Sequence, residues 1–150
     1  MSRVVTLEKA TPADIKRYIE IDKKVGGKTY AAIVTESEVL EEMAKGPVYM
    51  IKEGGVSVGS VSYHLKPGGG AYLSGLEVDP VFQGRGIGRA VVEKILQEVK
   101  GAPYVELLTH PDNTAAIGLY QSLGFKITGN KDNYFGDGEP RIMLTLQQTS

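Results

Sequence analysis

The stretch Leu76-Glu77-Val78-Asp79-Pro80-Val81-Phe82-Gln83-Gly84-Arg85-Gly86-Ile87-Gly88-Arg89-Ala90 constrains this chain more than any other. An apolar segment runs into an Asp-Pro stop. Three glycines then alternate with Arg85 and Ile87, and a long amphipathic segment follows. The order reads as strand, tight loop, helix. Glycines in the loop leave backbone N–H groups uncovered where the helix begins. That end of a helix carries unpaired donors and partial positive charge, so it suits an anion. Arg85 and Arg89 add two cations beside it. The stretch reads as a cradle for phosphate or pyrophosphate, in competition with a plain strand–helix connector.

Two other nucleotide motifs fail on their residues. The dinucleotide fingerprint G-x-G-x-x-G fits Gly84 and Gly86, but its third glycine falls on Arg89. Gly26-Gly27-Lys28-Thr29 ends like a phosphate-binding P-loop. Its first glycine falls on Asp22, and a helix rather than a strand precedes it.

The 150 residues suit one domain, 1–150, with a real core. Net charge is −1, from 17 basic and 18 acidic residues, which argues against a dedicated nucleic-acid surface. With no cysteine, a thiol nucleophile, a disulfide framework and a thiolate metal site are excluded. His64 and His110 are too few for a histidine-rich metal site, so no metal is expected. No long apolar run or leader is seen, and the expectation is a cytoplasmic protein with no membrane partner.

The rest of the chain falls into a regular order. Arg3–Glu8 reads as a strand. Thr11-Pro12-Ala13-Asp14 starts a helix, with Ile15, Tyr18 and Ile19 at helical spacing up to Gly26. Lys28–Val34 reads as a polar connector holding Tyr30. Thr35-Glu36-Ser37-Glu38 is a capping box, followed by Val39, Leu40 and Met43 and closed at Gly46-Pro47. Val48–Lys52, Val56–Leu65 and Ala71–Val78 read as a three-strand antiparallel meander joined by glycine turns. After the loop, Ile87, Ala90, Val91, Ile95 and Val99 form a helical stripe. Tyr104–Thr109 is a strand. Asp112 and Asn113 start a short helix with Ala116, Leu119, Tyr120 and Leu123 apolar. Phe125–Thr128 and Ile142–Leu146 are the last strands. Between them Gly129–Pro140 is a polar loop with Tyr134, Phe135, Asp137 and Glu139, long enough to suggest function. The order is β-α-α-β-β-β-α-β-α-β-β. It predicts an α/β (α+β) domain with a mixed, mostly antiparallel sheet of about seven strands and about four helices on both faces.

With this order in place, the chain resembles the GNAT superfamily of acetyl-coenzyme A-dependent N-acetyltransferases. Gln83-Gly84-Arg85-Gly86-Ile87-Gly88 matches that family's loop. Asn113-Thr114-Ala115-Ala116-Ile117-Gly118-Leu119-Tyr120-Gln121-Ser122-Leu123-Gly124-Phe125 matches its second block. The second half is also similar to the branch that acetylates ribosomal proteins and protein N-termini. That branch carries Tyr-Tyr where this chain has Tyr134-Phe135, so a small amine stays open beside a peptide amine.

The resemblance implies acetyl-CoA as co-substrate, with its pyrophosphate on the backbone of Gln83, Gly84, Arg85, Gly86, Ile87, Gly88 and Arg89. It implies that Leu76, Glu77 and Val78 pair with the pantetheine arm, as does Asn113, which could equally cap its helix. It gives Tyr120 the task of protonating the coenzyme A thiolate, and a backbone N–H of Leu76 or Val78 that of holding the developing oxyanion. Positions that carry a base in some members are Tyr72 and Ser74 here. Glu77, Glu106, His110 and a water relay stay open as the base. Amine contacts are expected at Tyr30, Tyr72 and Tyr134, with Asp137 and Glu139 nearby. The partners implied are acetyl-CoA and an amine, with the protein a monomer or homodimer. The alternative is a non-catalytic acyl-CoA sensor on the same fold.

Overall fold

In a computed structural model, which describes residues 5–26, 32–33 and 35–148, seven strands form one sheet in the order β1-β2-β3-β4-β5-β7-β6. The strands are β1 (Thr6–Lys9), β2 (Val48–Glu53), β3 (Val56–Leu65), β4 (Ala71–Val78), β5 (Tyr104–Thr109), β6 (Lys126–Lys131) and β7 (Arg141–Gln147). The helices are α1 (Ile15–Val25), α2 (Glu36–Lys45), α3 (Ile87–Glu98) and α4 (Thr114–Ser122). Every strand pair is antiparallel except β4–β5, which is parallel.

The element order matches the sequence reading, with shifts at the ends. Pro12–Asp14 is a short 3-10 turn before α1, since Asp14 takes the Thr11 N–H at 2.8 Å and tightens the entry. Pro80–Phe82 is a second such turn. The last hairpin is longer than its polar residues suggest. β6 runs on to Lys131 because Gly129, Asn130 and Lys131 pair with Met143, Ile142 and Arg141 after a bulge at Thr128. The expected capping box at α2 is present, with Glu38 N–H on Thr35 Oγ1 at 3.3 Å and Thr35 N–H on Glu38 Oε1 at 3.2 Å.

Two cores lie on opposite sheet faces. Ile87, Val91, Val92 and Ile95 of α3 are buried with Tyr120 of α4 against Ile51, Val61, Leu73 and Leu144. Their spacing is that of one helix face. Ile15 and Tyr18 of α1 and Val39 of α2 are buried against Val48 and Met50 on the other side. Truncating Ile95 to alanine in so tight a layer costs about 2–5 kcal/mol.

One strand decides where a ligand can enter. β4 pairs with β5 only at Ala71↔Val105 and Tyr72↔Glu106. Beyond Tyr72 the two strands part. On its other side β4 stays paired to β3, but the register shifts so that Ser62 opposes Gly75 and Tyr63 opposes Leu73. Ser74 is the extra residue. A bulge bends a strand and re-aims a side chain, and this one sits where β4 leaves β5.

Candidate active site

The parted strands leave backbone groups without a partner strand. Asp79 N–H donates to Val58 O at 2.8 Å, toward β3. Backbone direction alternates along a strand, so the N–H groups of Leu76 and Val78 point away from β3, into the gap. The Val78 carbonyl does the same and accepts from Gln83 Nε2 at 2.9 Å. Leu76 and Val78 thus form an open edge, while Glu77, which the resemblance also gave to the pantetheine arm, turns its backbone toward β3 and away from the gap.

Beyond this edge lies the glycine loop. Gly84 and Gly86 have φ of 77° and 80°, a left-handed conformation that favours glycine, and a Cβ on either would meet nothing within 4 Å. The loop therefore presents bare backbone. The N–H groups of Gly86, Ile87, Gly88 and Arg89 find no protein acceptor among the described residues, since the first bond of α3 is Ala90 N–H to Gly86 O at 3.2 Å. A cavity of about 320 Å³ opens here, lined by Leu76, Val78, Gln83, Gly84, Gly86, Ile87, Gly88, Asn113 and Tyr120. The two arginines lie differently from expectation. Arg85 stacks over the Phe82 ring at 5.2 Å and reaches Glu53 at 3.7 Å. Arg89 donates to the Ser122 hydroxyl and so ties α3 to α4.

The loop is anchored by a buried carboxylate. Asp79 accepts Val81 N–H at 3.1 Å, Arg17 Nη2 at 3.0 Å and Lys24 Nζ at 3.1 Å. Burial alone would raise its pKa. The Val81 N–H and the two cations more than offset that, so the carboxyl ends below its ordinary range.

On the far side of the gap, a cavity of about 460 Å³ is lined by Glu38, Glu42 and Lys45 of α2, by Ser74, Gly75 and Leu76 of β4, and by Asn113, Tyr120, Phe135 and Arg141. It shares Leu76, Asn113, Ala116 and Tyr120 with the loop cavity. Tyr120 is 6% exposed. Its ring packs edge-on against Phe125 with centroids 5.5 Å apart, and its hydroxyl makes no hydrogen bond among the described residues. Burial pushes this hydroxyl well above the ordinary phenol value, and the negative charge of Glu77 adds to the rise. Asn113 stands at the N-cap position of α4 without a side-chain cap bond; its amide donates to Thr109 Oγ1 at 3.3 Å. Its side chain is left to the cavities rather than to the helix.

The other residues named from sequence divide. Glu77 is buried. It accepts from Ser60 Oγ at 2.9 Å and lines a third cavity with Lys24, Gln83 and Asn113. A Cβ on Gly75 would lie 2.9 Å from Glu77 Oε1, so that carboxylate sits directly behind a glycine of the open strand. Tyr72 and Tyr134 line an outer cavity of about 540 Å³ with Lys66, Glu106 and Lys131; it shares Glu42, Lys45, Ser74 and Phe135 with the cavity beside Tyr120. Glu106 is bound to Lys66 there. His110 is buried: its Nε2 lies 2.7 Å from Glu139 Oε1 and its Nδ1 accepts Asp112 N–H at 3.0 Å. Asp137 accepts from Arg141 at 2.9 Å. Tyr30, with the Gly27–Thr29 part of the P-loop look-alike, lies outside the described residues. Sequence reading missed Glu42 and Arg141, and it named Ser74 and Phe135 without giving either a place in the cavity. Arg141 is 2% exposed, stacks on Phe135 at 5.1 Å and walls the cavity. No motif marks these positions.

Residues 16–125 match the acetyltransferase (GNAT) family. The chain belongs to that family. Acetyl-CoA is the co-substrate this membership brings, and the bare loop, the unpaired N–H groups and the open strand edge fit its pyrophosphate and amide-bearing arm. The [ribosomal protein bS18]-alanine N-acetyltransferase of Escherichia coli (strain K12) is 39% identical over 81 residues, covering 51% of this chain and 55% of that protein. The chain thus spans about half the length of that curated relative. Over the whole GNAT fold, the crystal structure of the ribosomal-protein-S18-alanine N-acetyltransferase from Escherichia coli superposes with a TM-score of 0.82 at 23% identity, covering 98% of this chain and 96% of that one. A Salmonella typhimurium acetyltransferase structure, solved with its cofactor acetyl-CoA, gives a TM-score of 0.78 at 23% identity, covering 98% and 95%. No helix among the described residues is long and apolar enough to cross a membrane, and no group of metal-ligating side chains occurs among them.

Proposed function

We propose that the protein transfers the acetyl group of acetyl-CoA directly to a primary amine, with Tyr120 supplying the proton to sulfur. The observation that carries this reading is the shared wall: Tyr120, Leu76 and Asn113 border both the loop cavity and the cavity beneath α2. A coenzyme on one side and an amine on the other would meet at that wall. The coenzyme would lie along Gln83–Arg89, with Leu76, Val78 and Asn113 pairing with its arm. The N–H of Leu76 or Val78 would meet the charge that develops on the thioester oxygen. With no cysteine in the chain, no thiol carries the acetyl group on the way.

The raised pKa of Tyr120 shapes the proton path. Burial and the charge on Glu77 keep the phenol fully protonated at rest. So weak an acid does not protonate a thiolate of pKa about 8.5 unless its own proton is replaced in the same event. The attacking nitrogen must lose a proton as the C–S bond breaks, and that proton refills Tyr120. Glu77 then acts through Tyr120, by charge, rather than as the base.

A peptide amine is the acceptor class favoured by the bS18-alanine acetyltransferase relative and by the room beyond the junction, where two adjoining cavities lead outward past Phe135 and Tyr134. The test is release of coenzyme A thiol from acetyl-CoA with a panel of amines: an alanine-initiated peptide, a lysine-containing peptide with a blocked N-terminus, spermidine and free amino acids. The chain has no thiol of its own to interfere. Turnover with the alanine-initiated peptide above the rest is expected. Acetyl-CoA binding without release for any amine would leave a coenzyme-binding module instead.

A further inference from the structure

The cavity beneath α2 holds a carboxylate whose place suits an amine. We propose that Glu42 receives the acceptor ammonium and takes its proton before attack, an inference that rests on the acetyltransferase reading and adds the base to it. Two carboxylates line this cavity, Glu38 and Glu42. Glu38 is engaged at the head of α2, where its Oε1 takes both the N–H and the hydroxyl of Thr35. Glu42 lies one helical turn further on, and its contacts are of another kind. Its Oε2 accepts from Ser74 Oγ at 3.3 Å, and its Oε1 faces Lys45 Nζ at 3.3 Å.

Ser74 is the bulge residue at which β4 leaves β5. It precedes Leu76 by two residues, about 7 Å along a strand. The bulge therefore brings the Glu42 carboxylate to the open edge whose Leu76 N–H faces the gap. The Glu42 side chain is 16% exposed, sheltered yet reachable, while Lys45 is 55% exposed and its ion pair is a weak surface one. The other acids are engaged elsewhere. Glu77 lines the third cavity, Glu106 is held by Lys66, His110 is buried against Glu139, and Asp137 is held by Arg141. The titratable and charged groups around Glu42 are Glu38 and Lys45 on its own helix, Tyr18 on α1, His64 on β3, Tyr72 on β4 and Arg141 on β7, with Lys66, Glu106, Lys131 and Tyr134 further round the outer cavity.

The step balances. Glu42 accepts one proton from R–NH3+, which frees the nitrogen lone pair. Nitrogen bonds to the acetyl carbon, the C–S bond breaks with its electron pair on sulfur, and sulfur takes the Tyr120 proton. The second nitrogen proton restores Tyr120. The proton on Glu42 leaves to solvent past Lys45. The net reaction releases one proton per amide formed.

The test compares wild type with Glu42→Gln and Glu42→Asp on the best amine of the panel, from pH 6.5 to 10. The expected result for Glu42→Gln is a fall in kcat/KM for the amine of at least about 100-fold at pH 7, the lower end of general-base effects, with acetyl-CoA affinity and Tm unchanged. That deficit should shrink as pH passes the amine's own pKa, about 8 for a peptide N-terminus, because the amine then arrives unprotonated. Glu42→Asp should recover part of the loss. Activity of Glu42→Gln within about twofold of wild type at pH 7 overturns the assignment. So does a deficit that stays constant across the pH range, which marks a merely structural role. A wild type inactive on every amine removes the acetyltransferase reading, and Glu42 with it.

Discussion

The coenzyme side and the amine side of this site are built in opposite ways. The coenzyme side comes from two continuous stretches, Leu76–Arg89 and Asn113–Tyr120, each a strand or loop running into a helix. The surface it offers is mostly backbone, exposed by glycines with positive φ. The amine side is assembled from α2, the bulge at Ser74, the Phe135 loop and Arg141 of β7, which are far apart in the chain. Its contacts are side chains, held by one another rather than by a local turn. A backbone cradle suits a ligand common to a whole family, since it depends little on side-chain identity. A side-chain cavity can change residue by residue, and the acceptor with it.

The largest expected effect falls at the junction of the two sides. Tyr120→Phe should lower kcat by about 10²–10⁴-fold, as loss of a general acid does, and move acetyl-CoA affinity by less than about threefold. Loss of both together would place Tyr120 on the coenzyme side alone.

The next effect concerns the clamp between α1 and the coenzyme loop. Asp79 has a lowered folded-state pKa. Its contribution is therefore complete above the unfolded carboxylate value of about 3.9 and is lost as pH falls through the lower folded value. Asp79→Asn should cost on the order of 1–3 kcal/mol at neutral pH. It should also flatten the acid limb of stability below about pH 4, read by urea unfolding at several pH values. A stability loss of the same size at every pH would show that Asp79 acts by packing alone.

Smaller effects separate the sides. Gly86→Val forces a branched side chain to φ of 80°, a strain of about 1–2 kcal/mol. Acetyl-CoA should bind about tenfold more weakly by calorimetry, with the amine KM unchanged. Phe135→Ala removes the ring over which Arg141 stacks, a contact of about 0.5–1 kcal/mol. The amine KM should rise about two- to fivefold while acetyl-CoA affinity holds. A reversal of these last two results would dissolve the division into sides.

The same division explains what the sequence showed. The loop, the capping box at Thr35 and the helix stripes were legible because each is set by residues close in the chain. Tyr120 and Asn113 were singled out through family resemblance, and both line the junction of the two cavities: the Tyr120 hydroxyl makes no hydrogen bond among the described residues, and the Asn113 side chain does not cap its helix. The bulge at Ser74 was not legible, since it depends on how β3 and β4 register and on where β5 ends its pairing. Glu42 and Arg141 were not legible for the same reason. Glu42 reads as one more acid on a surface helix, and Arg141 falls between the polar loop and the last strand as read from sequence. Glu77 was named through the resemblance but not as a buried residue, because its burial depends on the neighbouring strand, where Ser60 donates to its carboxylate.

If coenzyme and amine are held together on the two sides of Tyr120, they react without a covalent enzyme intermediate. Initial-velocity kinetics with acetyl-CoA and the amine both varied test it most directly. Reciprocal plots should intersect, the pattern of a ternary complex. Parallel lines, the ping-pong pattern of an acetylated enzyme, would contradict it.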